Sequence, residues 1–232
     1  MSARGAGAAS PASGLAGKSV YDRNCTRCPR LASYLAECHA RYAGYWCHPV
    51  PSFGDAAARI VLIGLAPGLH GANRTGRPFT GDFAGILLYA TLHRLGLATR
   101  AESVAADDGL ELRGVRIANA VKCAPPENKP LPEEIRRCNA YLKAELALLT
   151  SARVLVALGR IGHDAALLAL GLKRSQFPFA HGKEHALGGE LRLIDSYHCS
   201  RYNTQTGRLT ERMFAEVLER AVELAAAKPT RP

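Results

Sequence analysis

At 232 residues and 47% hydrophobic, the chain can bury a full core as a single domain and is too apolar for a disordered protein, while no apolar run approaches the length of a membrane span. Thirty Lys and Arg against 20 Asp and Glu give a net charge of +10, which points to a polyanionic partner such as nucleic acid, or more plainly to solubility. Seven cysteines, an odd number, with no secretory signal argue for a reducing, cytoplasmic interior and for metal or cluster ligation over disulfides.

Residues 1–18 are rich in Ala, Gly and Ser and read as a mobile tail ahead of one domain over residues 19–232. Cys25-Thr26-Arg27-Cys28-Pro29 follows, with the cysteine spacing that lets a single turn bind one metal centre. Between Leu31 and Tyr45, the residues Leu31, Tyr34, Leu35, Cys38 and Tyr42 share a helical face, and Trp46 to Pro51 breaks it. The apolar run Ile60 to Leu65 is the first strong strand. A glycine-rich loop comes next, then a helix from about Asp82 to Leu95 that Gly96 stops. Val115 to Val121 reads as a strand, and Pro132 to Leu149 as a helix opened by proline and two acids. Val154 to Leu158 is a strand, Gly159 leads a helix through Leu170, and Leu191 to Asp195 is a short strand. The last helix runs from Thr210 to about Ala227, with Thr210 as N-cap and Leu209 stapled onto Phe214. This alternation predicts a three-layer α/β/α fold around a central, mainly parallel four-stranded sheet.

Strands of such a sheet deliver their carboxyl ends to one edge, where ligands bind. That edge collects the loop from Gly64 to Asp82, then Asn119 with Lys122 and Cys123, then His198. In the loop, Gly68, Gly71, Gly76 and Gly81 with Pro67 and Pro78 imply fixed, unusual backbone angles and a close approach of main chain to a ligand. Asn73, Arg74, Arg77 and an aromatic that reads as exposed, Phe79, add side-chain chemistry. Neither a Walker phosphate loop nor a dinucleotide fingerprint is present. The cysteines divide into Cys25 with Cys28 and Cys123 with Cys138, a set that suits zinc or an iron–sulfur cluster, while Cys38 and Cys47 read as buried apolar thiols.

Three segments carry a family resemblance: Gly-Leu-Ala-Pro-Gly-x-x-Gly-Ala-Asn-Arg-Thr-Gly-Arg-Pro-Phe-Thr-Gly-Asp at 64–82, Asn-Ala-Val-Lys-Cys-x-Pro-Pro at 119–126, and Ser-Tyr-His-x-Ser-x-x-Asn-Thr-Gln-Thr-Gly-Arg-Leu-Thr at 196–210. In this order, and with this cysteine spacing, they closely resemble the family 5, or B-type, uracil-DNA glycosylases. The resemblance implies a monofunctional glycosylase of base-excision repair. Such an enzyme hydrolyses the N-glycosidic bond of uracil and other deaminated bases, such as hypoxanthine and xanthine, and leaves an abasic site. It further implies a [4Fe–4S] cluster on Cys25, Cys28, Cys123 and Cys138, double-stranded or single-stranded DNA as partner, no membrane, a monomer, and a cytoplasmic, nucleoid-associated location.

By the same resemblance, Phe79 stacks on the extruded base, Asn119 reads its edge and His198 donates a hydrogen bond as negative charge gathers on the leaving group. Gly64, Ala66, Gly68 and Asn73 belong to the substrate pocket. Ala66 stands where the related family 4 carries an acid, so leaving-group stabilisation must carry more of the reaction. Asp82 then orients water or steadies the sugar cation, unless it only caps a helix. The segment from Ser200 to Arg208 matches the DNA-inserting loop, with Tyr202, Gln205 and Arg208 filling the gap left by the flipped nucleotide. Arg74, Arg77, Lys122 and Lys129 are expected on backbone phosphates. Cys199 departs from the proline that many relatives carry after the histidine. Two other classes compete: a nucleic-acid-binding module without catalysis, and a zinc deaminase, whose H-x-E…P-C-x-x-C signature is missing here.

Overall fold

The computed structural model describes residues 20–227. The expected tail, residues 1–18, lies outside them. Helix α1 (Pro29–Arg41) precedes a short strand β1 (Phe53–Gly54) and the fully buried β2 (Ile60–Gly64). A four-residue helix α2 (Ala72–Thr75) and α3 (Phe83–Arg94) lead to β3 (Val115–Asn119), α4 (Pro132–Leu148), β4 (Val154–Leu158) and α5 (Arg160–Ala169). Strands β5 (Glu184–Gly188) and β6 (Leu191–Ser196), a short α6 (Arg201–Gln205) and α7 (Glu211–Ala226) complete the order.

The sheet has six strands in the order β1-β3-β2-β4-β6-β5, which corrects the expected four. The four expected strands form the parallel centre, and β1 and β5 add antiparallel edges. The centre was legible because strands covered on both faces read as unbroken apolar runs. Ile60 and Leu62 pack on one side with Leu88 and Leu92 of α3 and Phe214 and Leu218 of α7. Val61 and Ile63 pack on the other with Leu142 of α4 and Ala165 and Ala166 of α5. The two edge strands escape a sequence reading for opposite reasons. Strand β1 is two residues long, while β5 turns Glu184, Ala186 and Gly188 to solvent.

Two caps match expectation. Thr210 accepts from Met213 N at 3.2 Å, and Asp82 Oδ1 accepts from Gly85 N at 2.9 Å. Leu209 and Phe214 are both buried in the same core. Helix α1 stops at Arg41, short of the expected Tyr45, and α6 folds part of the expected inserting loop into a helical turn.

Candidate active site

The carboxyl ends of β2, β3 and β6 open onto one cleft of about 380 Å³, lined by Ala66, Gly68, Phe79, Asp82, Asn119 and His198 among others. Gly64, at the end of β2, lies beneath the cleft. A Cβ there would meet Asn119 Oδ1 at 2.5 Å and Phe79 Cζ at 2.7 Å, so only glycine lets these two side chains close over the strand end. Asn119 Oδ1 is buried and accepts no hydrogen bond from any described residue. A buried acceptor left without a partner costs about 1–3 kcal/mol; Asn73 Oδ1 shares that condition, but only Asn119 lines the cleft, where a donor can reach it.

Phe79 is 6% exposed, not on the surface as its loop position suggested. Its backbone takes a left-handed φ of 53°, costly for a bulky residue, and surrounding bonds over-determine it. Tyr89 donates its hydroxyl to Pro78 O at 2.8 Å, and the Arg77 guanidinium donates to Thr80 Oγ1 at 3.0 Å and Ser103 Oγ at 2.7 Å. The ring of Phe79 stacks on His198, centroids 5.9 Å apart and planes 27° from parallel. His198 sits directly against β4. A Cβ at Gly159, whose φ is +92°, would come within 3.3 Å of His198 Cβ. Burial lowers the pKa of His198 to about 4, so its ring is neutral near pH 7.

Asp82 divides its carboxylate between two tasks. Oδ1 makes the helix cap, and Oδ2 faces Gly71, whose absent side chain leaves it room. Burial raises the pKa of Asp82, and backbone hydrogen bonds from Gly85 and Ala84 oppose that shift. A Cβ on Gly68 would find Asp82 Oδ2 at 3.7 Å and Asn128 Oδ1 at 3.9 Å, so these two side chains share one corner of the cleft. Sequence reading missed Asn128. It sits on tandem left-handed residues, Glu127 at φ 54° and Asn128 at φ 57°, and asparagine after two prolines was the available signal. Arg201 was missed too: it lines the cleft and lays its guanidinium 5.1 Å from the centre of the Phe83 ring.

Several expected residues stand elsewhere. Asn73 is fully buried on α2, donating to Cys47 Sγ at 3.6 Å, and is absent from the lining of the cleft. Arg77 is 3% exposed and ion-paired with Asp108 at 2.5 Å, so it holds the Phe79 turn and is not a surface phosphate contact. Lys122 is equally buried, donating to Ser52 Oγ at 2.6 Å and Glu145 Oε2 at 3.2 Å; the Glu145 carboxylate also takes Arg116. A charge inside the protein keeps its partner because desolvation leaves it no alternative. Arg74, Lys129, Gln205, Arg208 and Tyr202 are exposed, Tyr202 by 71%.

Cys25, Cys28, Cys123 and Cys138 line a second, separate cavity with Leu31, Val121 and Tyr141. All four are free thiols, brought together by the start of α1, the end of the β3 segment and the second turn of α4. Arg30 braces α1 to α4 through a two-pronged contact with Glu134, Nε to Oε1 at 2.8 Å and Nη2 to Oε2 at 2.7 Å. Cys138 Sγ accepts from Lys122 N at 3.2 Å. Ala66 packs on this cysteine-lined core from the cleft side.

Among the described residues, only His163, His185 and Asp195 bring three ligand-type atoms within 4.8 Å of one another. Both ring nitrogens of His163 face acceptors, Asp195 Oδ1 at 2.6 Å and Phe177 O at 2.8 Å, so the ring acts as a donor on both sides and not as a metal ligand. Burial opposes that charge, but the Asp195 carboxylate raises the pKa of His163 above its ordinary value.

Residues 51–222 match the model of the uracil DNA glycosylase superfamily. The chain belongs to that superfamily. A Type-5 uracil-DNA glycosylase of Thermus thermophilus is 54% identical over 206 residues, spanning 87% of this chain and 94% of its own. A second Type-5 uracil-DNA glycosylase, from Pyrobaculum aerophilum, is 46% identical over 202 residues, 85% of this chain and 88% of its own. A Type-4 uracil-DNA glycosylase from the same organism is 32% identical over 181 residues, 76% of this chain and 78% of its own. The chain is thus a type-5 member of the uracil-DNA glycosylase superfamily, a DNA glycosylase hydrolase. The cleft, with Arg201 on its rim, lies at the glycine-loop edge of the sheet. Among the described residues, no helix is long and apolar enough to cross a membrane.

Proposed function

We propose that this chain excises uracil from DNA by hydrolysing the N-glycosidic bond, and that hypoxanthine and xanthine are also released. The observation that carries the reading is the orphaned Asn119 Oδ1 beside the stacked pair of Phe79 and His198. A base inside a duplex must be extruded to reach such a cleft. Its flat face then lies on Phe79, and its edge N–H satisfies Asn119 Oδ1, removing the penalty the empty site carries. Purine-derived bases fit the same scheme, because a cleft of about 380 Å³ does not restrict it to a pyrimidine.

As the glycosidic bond breaks, its electron pair stays with the base, and a neutral His198 N–H stabilises the charge that gathers there. The sugar becomes an oxocarbenium-like cation, and the Asp82 carboxylate beside Asn128 is suited to steady it and to hold the attacking water. Water adds to the anomeric carbon and loses a proton to the departing base or to solvent, leaving an abasic site. No lysine stands exposed in the cleft lining, so strand nicking through a Schiff base is not part of this scheme. Exposed Arg74, Arg201, Tyr202, Gln205 and Arg208 would grip the distorted duplex and occupy the vacated stack.

Cys25, Cys28, Cys123 and Cys138 would hold a [4Fe–4S] cluster. The four thiols line one cavity, and a four-thiolate donor set suits an iron–sulfur core. When bound, the cluster supplies a covalent cross-link between α1, the segment after β3 and α4.

The test is a single-turnover assay on duplexes carrying uracil, hypoxanthine or xanthine, with alkali to reveal abasic sites. Release of all three bases is expected. Release of uracil alone removes the wider substrate range. DNA binding without any release overturns the glycosylase reading in favour of a binding module.

A further inference from the structure

The His198 ring makes no hydrogen bond to any described residue, so its aim depends on packing against Phe79 and on what fixes its own backbone. Two groups do that. On the carboxyl side, Asn203 Nδ2 donates to His198 O at 2.8 Å. On the amino side, Tyr197 N donates to His181 Nδ1 at 3.1 Å. The His181 ring also stacks on the Tyr197 ring, centroids 4.9 Å apart and planes 14° from parallel, and Arg208 lays its guanidinium 4.5 Å from the centre of that ring.

His181 is held in turn by the interior. The segment before β5 is tied to the buried Asp195 at two points, Ala180 N to Oδ2 at 3.2 Å and Gly182 N to the backbone carbonyl at 2.7 Å. Asp195 itself is gripped by His163 and by His185 Nε2 at 3.0 Å, and His163 reaches on to Phe177 O. The buried His163–Asp195 pair thus anchors the segment that carries His181. Burial holds the His181 pKa below its ordinary value, against the raising influence of Glu216, which keeps its Nδ1 lone pair free to accept.

We infer that His181 is a positioning residue for the reaction: by accepting from Tyr197 N it fixes the peptide that aims His198, while its ring lies on the Tyr197 ring that also carries Arg208. The inference rests on His198 as the donor to the departing base. Nothing in the sequence pattern marks His181, which lies 17 residues before His198, between a Phe-Pro-Phe-Ala stretch and a glycine.

Two substitutions separate the acceptor from the ring. His181→Phe keeps an aromatic face and removes the acceptor; His181→Asn keeps an acceptor oxygen near the Nδ1 position and removes the stack. Single-turnover release of uracil is measured beside melting temperature and the Kd for a duplex carrying a tetrahydrofuran abasic analogue. For His181→Phe, a rate about 10-fold or more below the parent is expected, with Kd within about twofold and unchanged melting, because a small misplacement of a catalytic group is costly in rate. His181→Asn is expected to recover most of that loss. Equal rates for all three proteins overturn the inference, and so does an equal fall in both variants. If the parent releases no uracil, the glycosylase reading falls, and the ring-nitrogen resonances of His198 then decide the positioning claim. A shift in His181→Phe alone supports it, and no shift in either variant overturns it.

Discussion

The Arg77 guanidinium meets the Asp108 carboxylate at 2.5 Å inside the protein, behind the turn that presents Phe79. Asp108 also accepts from Val104 N and Leu110 N, so the pair stitches the glycine-rich loop to the connection that follows α3. Burial works against ionisation of Asp108, but the Arg77 hydrogen bond and the backbone donors outweigh it and hold its carboxyl well below the usual carboxylate range.

Removing one partner of that pair is expected to be expensive. Arg77→Ala should cost about 3–5 kcal/mol by leaving a buried carboxylate unpaired, whereas the double change Arg77→Met with Asp108→Leu should cost less than Arg77→Ala alone. Because the folded pKa of Asp108 is depressed, its contribution is fully present above the ordinary carboxylate pKa of about 4 and fades as pH falls below it. Urea melts at pH 7 and pH 3 should show the parent losing stability over that range and Asp108→Asn losing less.

Asn119 separates stability from function. Its Oδ1 accepts from no described residue, so Asn119→Ala should leave the melting temperature unchanged or raise it, with a gain of about 1 kcal/mol at most. Uracil release should fall by about 100-fold or more, since the proposed acceptor for the base edge is lost. A large drop in melting temperature would mean that the side chain is structural and that the orphaned oxygen has another explanation.

For His198 the pH sign is opposite to that of a histidine that gains a partner. Its folded pKa lies near 4, below the ordinary 6.5, so the unfolded chain takes up the proton first. The stability this site contributes is present above about pH 6.5 and is lost as pH falls toward 4. His198→Ala should therefore melt with a shallower dependence on pH over that window. The same variant should lose about 100-fold or more in single-turnover rate, the scale expected for removing a donor to developing negative charge.

The four thiols offer a direct readout. Purified without oxygen, the protein should be brown with a broad visible band and should carry iron and sulfide, whereas a zinc protein would be colourless. Cys25→Ser should bleach the colour and lower the melting temperature by loosening α1 from α4, although the Arg30–Glu134 contact remains. If Cys25→Ser melted and bound DNA like the parent, the cluster would have no structural role.

Much of the scaffold was legible in the sequence because its strongest signals are physical necessities. Strands covered on both faces must be apolar throughout, and Ile60 to Gly64 and Val154 to Leu158 are. A helix starting after a tight loop needs an acceptor, which Asp82 and Thr210 provide. The edge strand β5 carried no such signature, because a half-exposed edge tolerates Glu184, His185 and Gly188.

The sequence alone determined which residue types stand at the strand ends: the glycines, Phe79, Asn119 and His198, in the order of the superfamily motifs. What only the tertiary structure decided is which polar side chains are free. Arg74 and Arg77 lie three residues apart in one loop with the same charge, yet one faces solvent and the other is sealed against Asp108. Lys122 and Lys129 divide in the same way, and Asn128 reaches the cleft from two residues beyond the motif at 119–126. Local sequence sets the chemistry a residue can offer. Whether that chemistry is spent inside the protein or turned toward a ligand depends on the partners that distant segments bring, and those exist only once the chain has folded.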